Sequence, residues 1–237
     1  MNLLLELVAD RIRDRAKGLT NVAPLELEPD LKNIYGKSEG DDLFIVNELN
    51  QARGFRKLHL ETAKLGSSLE VLHAVFFPDP LFDLPIFGVD LVAVPGIISA
   101  AIVDLSPVSK SLPSAIDYDL SKLKFPSFKI VRELPEWGDI FSPYVQFVSP
   151  MNSNENKSFL NLVDSYLNIL ICYSASIDPQ LHDDPRVSDR YNRQKYYCLQ
   201  QKRNDKTRNV LAKTFGMPWA NQYIDKVLFD LPSKSEL

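Results

Sequence analysis

Between residues 55 and 105 the chain runs through short stretches of alternating apolar and polar side chains, each closed by a turn signal. Residues 55–65 alternate and stop at Gly66-Ser67-Ser68. Residues 69–77 alternate again and stop at Pro78-Asp79-Pro80. Residues 87–94 close on Pro95-Gly96, and 97–105 follow directly. A period of two bounded by Gly, Pro and Ser reads as strand, and successive strands with short connections pair antiparallel. Residues 42–49 and 141–148 carry the same signal on either side. The middle of the chain is thereby committed to a meander.

Helical spacing flanks this region. Residues 2–17 read as an amphipathic helix, and residues 18–40, rich in Pro, Gly and Asp, as loop with room for one short strand. Phe159, Leu162, Val163, Tyr166, Leu167 and Leu170 set a helix over 156–174. Residues 189–215 read as one long helix and 219–229 as a last one. Helix first, strands in the middle and helices last predict an α+β chain, a three-layer α/β/α sandwich around a central antiparallel sheet. No linker, repeat or low-complexity run divides residues 1–237, so a single domain is expected.

Composition narrows the setting. The longest apolar stretch, 86–103, is interrupted by Asp90, Pro95, Gly96 and Ser99, which argues against a membrane span. The N-terminal stretch lacks a positive leader and holds acids among its leucines, unlike a secretory signal. Cys172 and Cys198 fit neither a disulfide framework nor a Cys-x-x-Cys site, so a reducing, cytoplasmic setting is expected. A net charge of −4 argues against nucleic-acid binding. One basic run stands out: Arg186, Arg190, Arg193, Lys195, Lys202, Arg203, Lys206 and Arg208, against Asp189 and Asp205 alone. It could hold an anionic ligand or dock an acidic partner, or simply form a solvated helix face.

The strand pattern also brings polar groups together. His59 and Glu61 share a face of 55–65, because side chains alternate. A hairpin turning about Ser67 places Glu61 opposite His73 and His59 opposite Val75. Opposed side chains have Cβ atoms roughly 4.5–5.5 Å apart, so two histidines and a carboxylate should cluster. A slip of one residue would undo this. Asp90 sits among apolar neighbours, where burial would favour its protonated form and a proton-donor role. Each of these residues also has a plain structural reading, Asp90 as a carboxylate capped by backbone donors and the histidines as satisfied core groups. His182, in a polar loop, reads as a loop residue only. His59, His73 and Glu61 could suggest a metal site, but their spacing is not that of ligands. There is no Gly-x-Gly-x-x-Gly fingerprint, P-loop, His-Glu-x-x-His or Gly-x-Ser-x-Gly elbow. Proton chemistry without a motif-bearing cofactor is what the residues leave.

Five stretches in order, FRKLHLETAKLGSSLEVLH (55–73), FPDPLFDLPIFGVDLVAVPG (77–96), SAAIVDLSP (99–107), RELPEWGDIFSPY (132–144) and QQKRNDKTRNVLAKTFGMPWANQYIDKVLFD (200–230), resemble the ferredoxin-dependent bilin reductases. The resemblance covers nearly everything after residue 45; the first forty residues, 108–130 and 175–190 depart from it. It implies a cytoplasmic monomer with the sandwich fold. The substrate would be biliverdin IXα and the product phycocyanobilin, with electrons from reduced 2Fe-2S ferredoxin and no metal or flavin held by the enzyme itself. By the same resemblance Asp90 is the proton-donating aspartate, His73 the catalytic histidine, and His59 and Glu61 the second histidine and the glutamate tied to the D-ring vinyl group. Ser99, Arg132, Lys206 and Thr207 would surround the propionates, with Asn204 and Asp205 facing the pocket. Arg56, Lys57, Lys202, Arg203 and Arg208 are candidates for docking ferredoxin. A sister reductase making phycoerythrobilin or a dihydrobiliverdin, or a carrier that holds bilin without reducing it, would use the same pocket. The full set of Glu61, His59, His73 and Asp90 favours the first reading.

Overall fold

The computed structural model describes residues 2–38 and 40–233. Its strands are β1 (Ala23–Pro24), β2 (Asn33–Ser38), β3 (Asp41–Ala52), β4 (Phe55–Leu65), β5 (Leu69–Pro78), β6 (Ile86–Val94), β7 (Ile97–Ser106) and β8 (Gln146–Val148). They form one sheet in the order β1-β3-β4-β5-β6-β7-β8, with β2 also on β3 and every pairing antiparallel. The helices are α1 (Leu3–Ala16), α2 (Pro29–Lys32), α3 (Ser114–Lys122), α4 (Ser153–Ser176), α5 (Pro185–Gln201), α6 (Asp205–Phe215) and α7 (Met217–Tyr223), the last continued by a π-helical turn, Ile224–Leu228.

Alternation along each strand feeds two cores. In β5, Leu72, Ala74 and Phe76 join the core under α1, α3 and α4, whereas Val75 and Phe77 join the core under α5, α6 and α7. The predicted three-layer sandwich is therefore present. The helices are set by local chemistry. Asn152 caps α4, accepting from the backbone N–H groups of Asn154 and Glu155 at 3.0 Å each. The face of α4 buried on the sheet is Phe159, Leu162, Val163, Tyr166, Leu167 and Leu170, as its spacing predicts. The Pro95-Gly96 turn needs a positive φ at its second residue, and Gly96 supplies +82°.

Three expectations are corrected. Residues 189–215 are not one helix: α5 stops at Gln201 and α6 starts at Asp205. Asn204 caps α6 by accepting from Lys206 N at 3.2 Å, and Arg208 donates to the carbonyl of Lys202 at 2.5 Å. Residues 141–148 yield only the short β8, because Pro143 intervenes and the Ser142 N–H is taken by Asp104 Oδ2 at 2.9 Å. Within 18–40, β1, α2 and β2 replace most of the expected loop.

Asp104 belongs to this framework. It is 1% exposed and accepts from the hydroxyls of Ser106 at 2.6 Å and Ser142 at 2.5 Å. Burial outweighs these bonds and pushes its carboxyl up to about 6. The native chain then binds this proton more readily than the unfolded chain, whose aspartates titrate near about 4. The Asp104 contribution to stability therefore falls as pH rises from about 4 to about 6 and is level above that. Carboxyl 13C NMR should show one resonance with a midpoint near 6 that disappears in Asp104→Asn; a midpoint near 4 would contradict the account.

Candidate active site

The hairpin between β4 and β5 turns at Gly66-Ser67-Ser68, and its register puts Glu61 opposite His73 and His59 opposite Val75, as the turn predicts. The next ladder sets His73 opposite Asp90, and the one before sets Asn47 opposite Glu61. Asn47, Glu61, His73 and Asp90 thus form one row across β3, β4, β5 and β6. Glu61, His73 and Asp90 of this row line a cavity of about 890 Å³, closed over by the end of α5, by α6 and by the π-helical turn. That is enough for a large organic ligand.

Every site residue predicted from the sequence lines this cavity except His59: Glu61, His73, Asp90, Ser99, Arg132, Asn204, Asp205, Lys206 and Thr207. His59 is fully buried behind the row, its ring 5.8 Å from that of His73 and edge-on to it. The break between α5 and α6 explains the last four: Asn204, Asp205, Lys206 and Thr207 are the cap and first turn of α6, where free N–H groups and the helix dipole favour an anion. Arg132 donates to the carbonyl of Ser99 at 2.7 Å and lies over the Phe147 ring at 5.2 Å. Phe229, from the chain end, closes on the His73 ring at 5.5 Å. His182 lies in an exposed turn that does not line the cavity.

The electrostatics of the row are uneven. His73 Nδ1 and Asp90 Oδ1 are 2.6 Å apart. Burial works against a charged His73, but the charge and hydrogen bond of Asp90 prevail and hold His73 above its ordinary range. Asp90 is thus the partner whose hydrogen bond keeps a proton on His73. Asp90 is not enclosed, as its apolar neighbours suggested: its side chain is 42% exposed, reaching into the cavity. Glu61 is buried, and that burial pushes its carboxyl up. Burial also pushes His59 well down, helped by the charges of Lys57 and His73, so His59 is neutral. His73 Nε2 is buried on the cavity lining without a hydrogen-bond partner in the protein, which leaves this imidazole able to exchange a proton with what enters the cavity; His59 Nδ1 also has no partner but lies off the cavity. Among the described residues no group of three His, Cys, Asp or Glu side chains is arranged as metal ligands.

Two groups at the row escaped the sequence reading. Asn47 and Tyr223 both contact Glu61 or His59 and are 1% exposed. Counting across the Arg53-Gly54 turn places Asn47 opposite Leu60, and only a bulge between Asn50 and Ala52 moves it opposite Glu61; nothing local points to Tyr223, from α7. The docking set needs correction. Arg56 and Lys57 are 9% and 4% exposed at their side chains and are ion-paired with Asp230. Lys202 pairs with Asp225 and Arg208 with Asp205, both side chains mostly covered. Of the five, Arg203 is exposed. Cys172 and Cys198 are unbridged, and among the described residues no helix is long and apolar enough to cross a membrane.

Comparison with other proteins identifies the family. The family described as ferredoxin-dependent bilin reductase matches residues 9–230. The phycocyanobilin:ferredoxin oxidoreductase of Prochlorococcus marinus (strain SARG) is 65% identical over 232 residues, 98% of this chain and 94% of that protein. The protein of the same name from Synechococcus sp. (strain CC9902) is 49% identical over 229 residues, 97% of this chain and 93% of its own length. The crystal structure of tomato phytochromobilin synthase in complex with biliverdin shares the fold, with a TM-score of 0.77 at 19% identity over 94% of this chain and 82% of that one. With a family match spanning the whole sheet and the helices over the cavity, and close relatives aligned nearly end to end, the chain belongs to the ferredoxin-dependent bilin reductases.

Proposed function

We propose that this chain reduces biliverdin IXα to phycocyanobilin, taking four electrons one at a time from reduced ferredoxin. The observation that carries the reading is the row of Glu61, His73 and Asp90 along one wall of a cavity that Arg132, beside the sheet edge, and the first turn of α6 also line. Two carboxyl groups and an imidazole within one sheet row can deliver protons to one substrate at several positions. The names of the relatives above support the same substrate and product.

The roles follow from position. Arg132 and Lys206, with Ser99 and Thr207, hold the propionate carboxylates by charge-assisted bonds. Asn204 and Asp205 face the substrate beside them. His73 and Asp90 place their shared proton at the lactam oxygens and pyrrole nitrogens, making the bilin a better electron acceptor. Glu61, with His59 behind it, protonates the D-ring vinyl group. Two electrons and two protons turn that vinyl into an ethyl group, giving 18¹,18²-dihydrobiliverdin. Two more of each, with Asp90 as donor, give the A-ring ethylidene. Each pair of electrons arrives singly, so each stage passes through a bilin radical. The enzyme itself needs no metal or flavin, and acts as a cytoplasmic monomer. The exposed Arg203 is the basic group best placed to meet an acidic ferredoxin.

Purified protein mixed with biliverdin, ferredoxin and a ferredoxin-reducing system under low oxygen should yield phycocyanobilin through the dihydro intermediate, read by absorption and chromatography. Bound but unchanged biliverdin would make the chain a carrier, and a phycoerythrobilin-type product would overturn the role of Glu61. In the same assay Glu61→Gln should slow D-ring reduction by about 10²-fold or more, leaving products that keep the vinyl.

A further inference from the structure

Asn47 and Tyr223 surround Glu61 with hydrogen bonds whose directions can be worked out. Asn47 Nδ2 lies 2.7 Å from the carbonyl oxygen of Leu31. A carbonyl can only accept, so this contact fixes the amide with nitrogen toward Leu31 and oxygen toward the site. Asn47 Oδ1 then has two neighbours, His59 Nε2 at 2.8 Å and the Tyr223 hydroxyl at 2.9 Å. An amide oxygen has no hydrogen to give, so both neighbours donate to it. His59 therefore carries its hydrogen on Nε2. Tyr223 has one hydroxyl hydrogen, and its oxygen also lies 2.5 Å from Glu61 Oε2. With that hydrogen committed to Asn47, the phenol can only accept from Glu61, which must then be the carboxylic acid. The reverse arrangement has Tyr223 donating to a Glu61 carboxylate. It would leave the oxygens of Tyr223 and Asn47 facing each other without a hydrogen, where both residues are 1% exposed.

We propose that Asn47 and Tyr223 are positioning residues that set the direction of the hydrogen bonds at Glu61 and so keep it loaded with the proton it delivers to the substrate. The inference rests on the role of Glu61 proposed above. Burial favours the same protonated state. The other groups facing Glu61 are His73 on β5, whose charge opposes that state, and Asp90 on β6, whose charge assists it. Neutral His59 lies beside it on β4.

Carboxyl 13C NMR on glutamate-labelled protein without biliverdin, assigned with Glu61→Gln, reads this directly. Glu61 should be protonated at neutral pH. In Asn47→Leu the Tyr223 hydrogen is released to the carboxylate, and the Glu61 midpoint should fall by about one pH unit. In Tyr223→Phe no donor is gained and the midpoint should not fall. An ionised Glu61 at neutral pH, an unchanged midpoint in Asn47→Leu, or a fall in both variants would overturn the proposal. The wild-type protein offers a second reading that needs no substitution at a buried site. 15N spectra of labelled histidines should show His59 neutral with its hydrogen on Nε2, and a hydrogen on Nδ1 would overturn the proposal. Turnover separates the two readings. Asn47→Leu should lose about tenfold in D-ring reduction at mildly alkaline pH and regain it in mild acid, where Glu61 is protonated again. If wild-type protein leaves the vinyl untouched while the Glu61 resonance behaves as described, the reaction is wrongly assigned and the hydrogen-bond direction stands. Normal D-ring reduction with an ionised Glu61 keeps the reaction and rejects the relay.

Discussion

Asp90→Asn is expected to bind biliverdin as the natural chain does and then to stall as a one-electron-reduced radical, with product formation lowered by about 10²–10⁴-fold. The substitution keeps the shape of the side chain. It lies at the cavity wall with 42% of its surface exposed, so packing is not disturbed. What is lost is chemical. An amide cannot carry the shared proton, and it removes the negative charge 2.6 Å from the imidazole that holds His73 above its ordinary range. His73 then loses its proton at lower pH, and neither member of the pair can protonate the reduced bilin. Mixing the variant with biliverdin and reduced ferredoxin, followed by optical and electron paramagnetic resonance spectra, would reveal the accumulated radical. Normal turnover would remove Asp90 from the mechanism.

The second large effect concerns stability. Asp230→Ala should cost about 3–5 kcal/mol, because it strips the counter-charge from two covered cations at once. Arg56 Nη1 is 2.6 Å from Asp230, and Lys57 Nζ contacts the same carboxylate and the carbonyl of Val227 at 2.8 Å. Burial opposes an ionised Asp230, yet the charges of Lys57 and Arg56 prevail and hold it below the usual carboxylate range. Lys57 is itself pushed down, because burial outweighs its partner. The two shifts differ because the lysine is the more deeply covered of the pair, and the pair as a whole is close to break-even; breaking it is what costs. A depressed carboxylate contributes stability that is present above about pH 4 and is lost as pH falls through its native value. Denaturant unfolding should show a large gap between wild type and Asp230→Ala at neutral pH that closes in acid. A gap that stays constant would assign the effect to packing around Phe229.

What the sequence made legible was local. The Gly66-Ser67-Ser68 turn is short, so the positions of Glu61 and His73 could be counted across it, and the observed register agrees. No such count reaches Asp90, because residues 79–85 form a longer connection between β5 and β6, and the contact with His73 depends on a register that the loop does not set. The apolar neighbours of Asp90 suggested burial; Val89 and Leu91 are buried on the opposite face of the sheet, and Asp90 itself meets the cavity. Helical periodicity ran on through 202–204 since Lys, Arg and Asn neither break a helix nor mark a face, and only the Asn204 cap followed by Asp205 signalled the restart. Arg56 and Lys57 are docking candidates by charge alone, and their partner Asp230 lies too far along the chain for sequence spacing to pair them. Assignment to the bilin reductases came from ordered blocks of sequence, and the family match bears it out.

The row across β3 to β6 has a consequence for how such an enzyme can change. Neighbouring strands lie about 4.8 Å apart, so four positions span roughly 14 Å at fixed intervals. Their backbones are pinned by ladder hydrogen bonds that do not involve the side chains. Each position is therefore a socket whose occupant can be exchanged while the others keep their places. On the roles proposed above, altering one occupant would change which carbon of the substrate receives hydrogen and would leave the grip on its acidic tails alone. Regiochemistry and affinity would then be inherited separately, and a lineage could diversify its pigments by single substitutions without rebuilding the pocket.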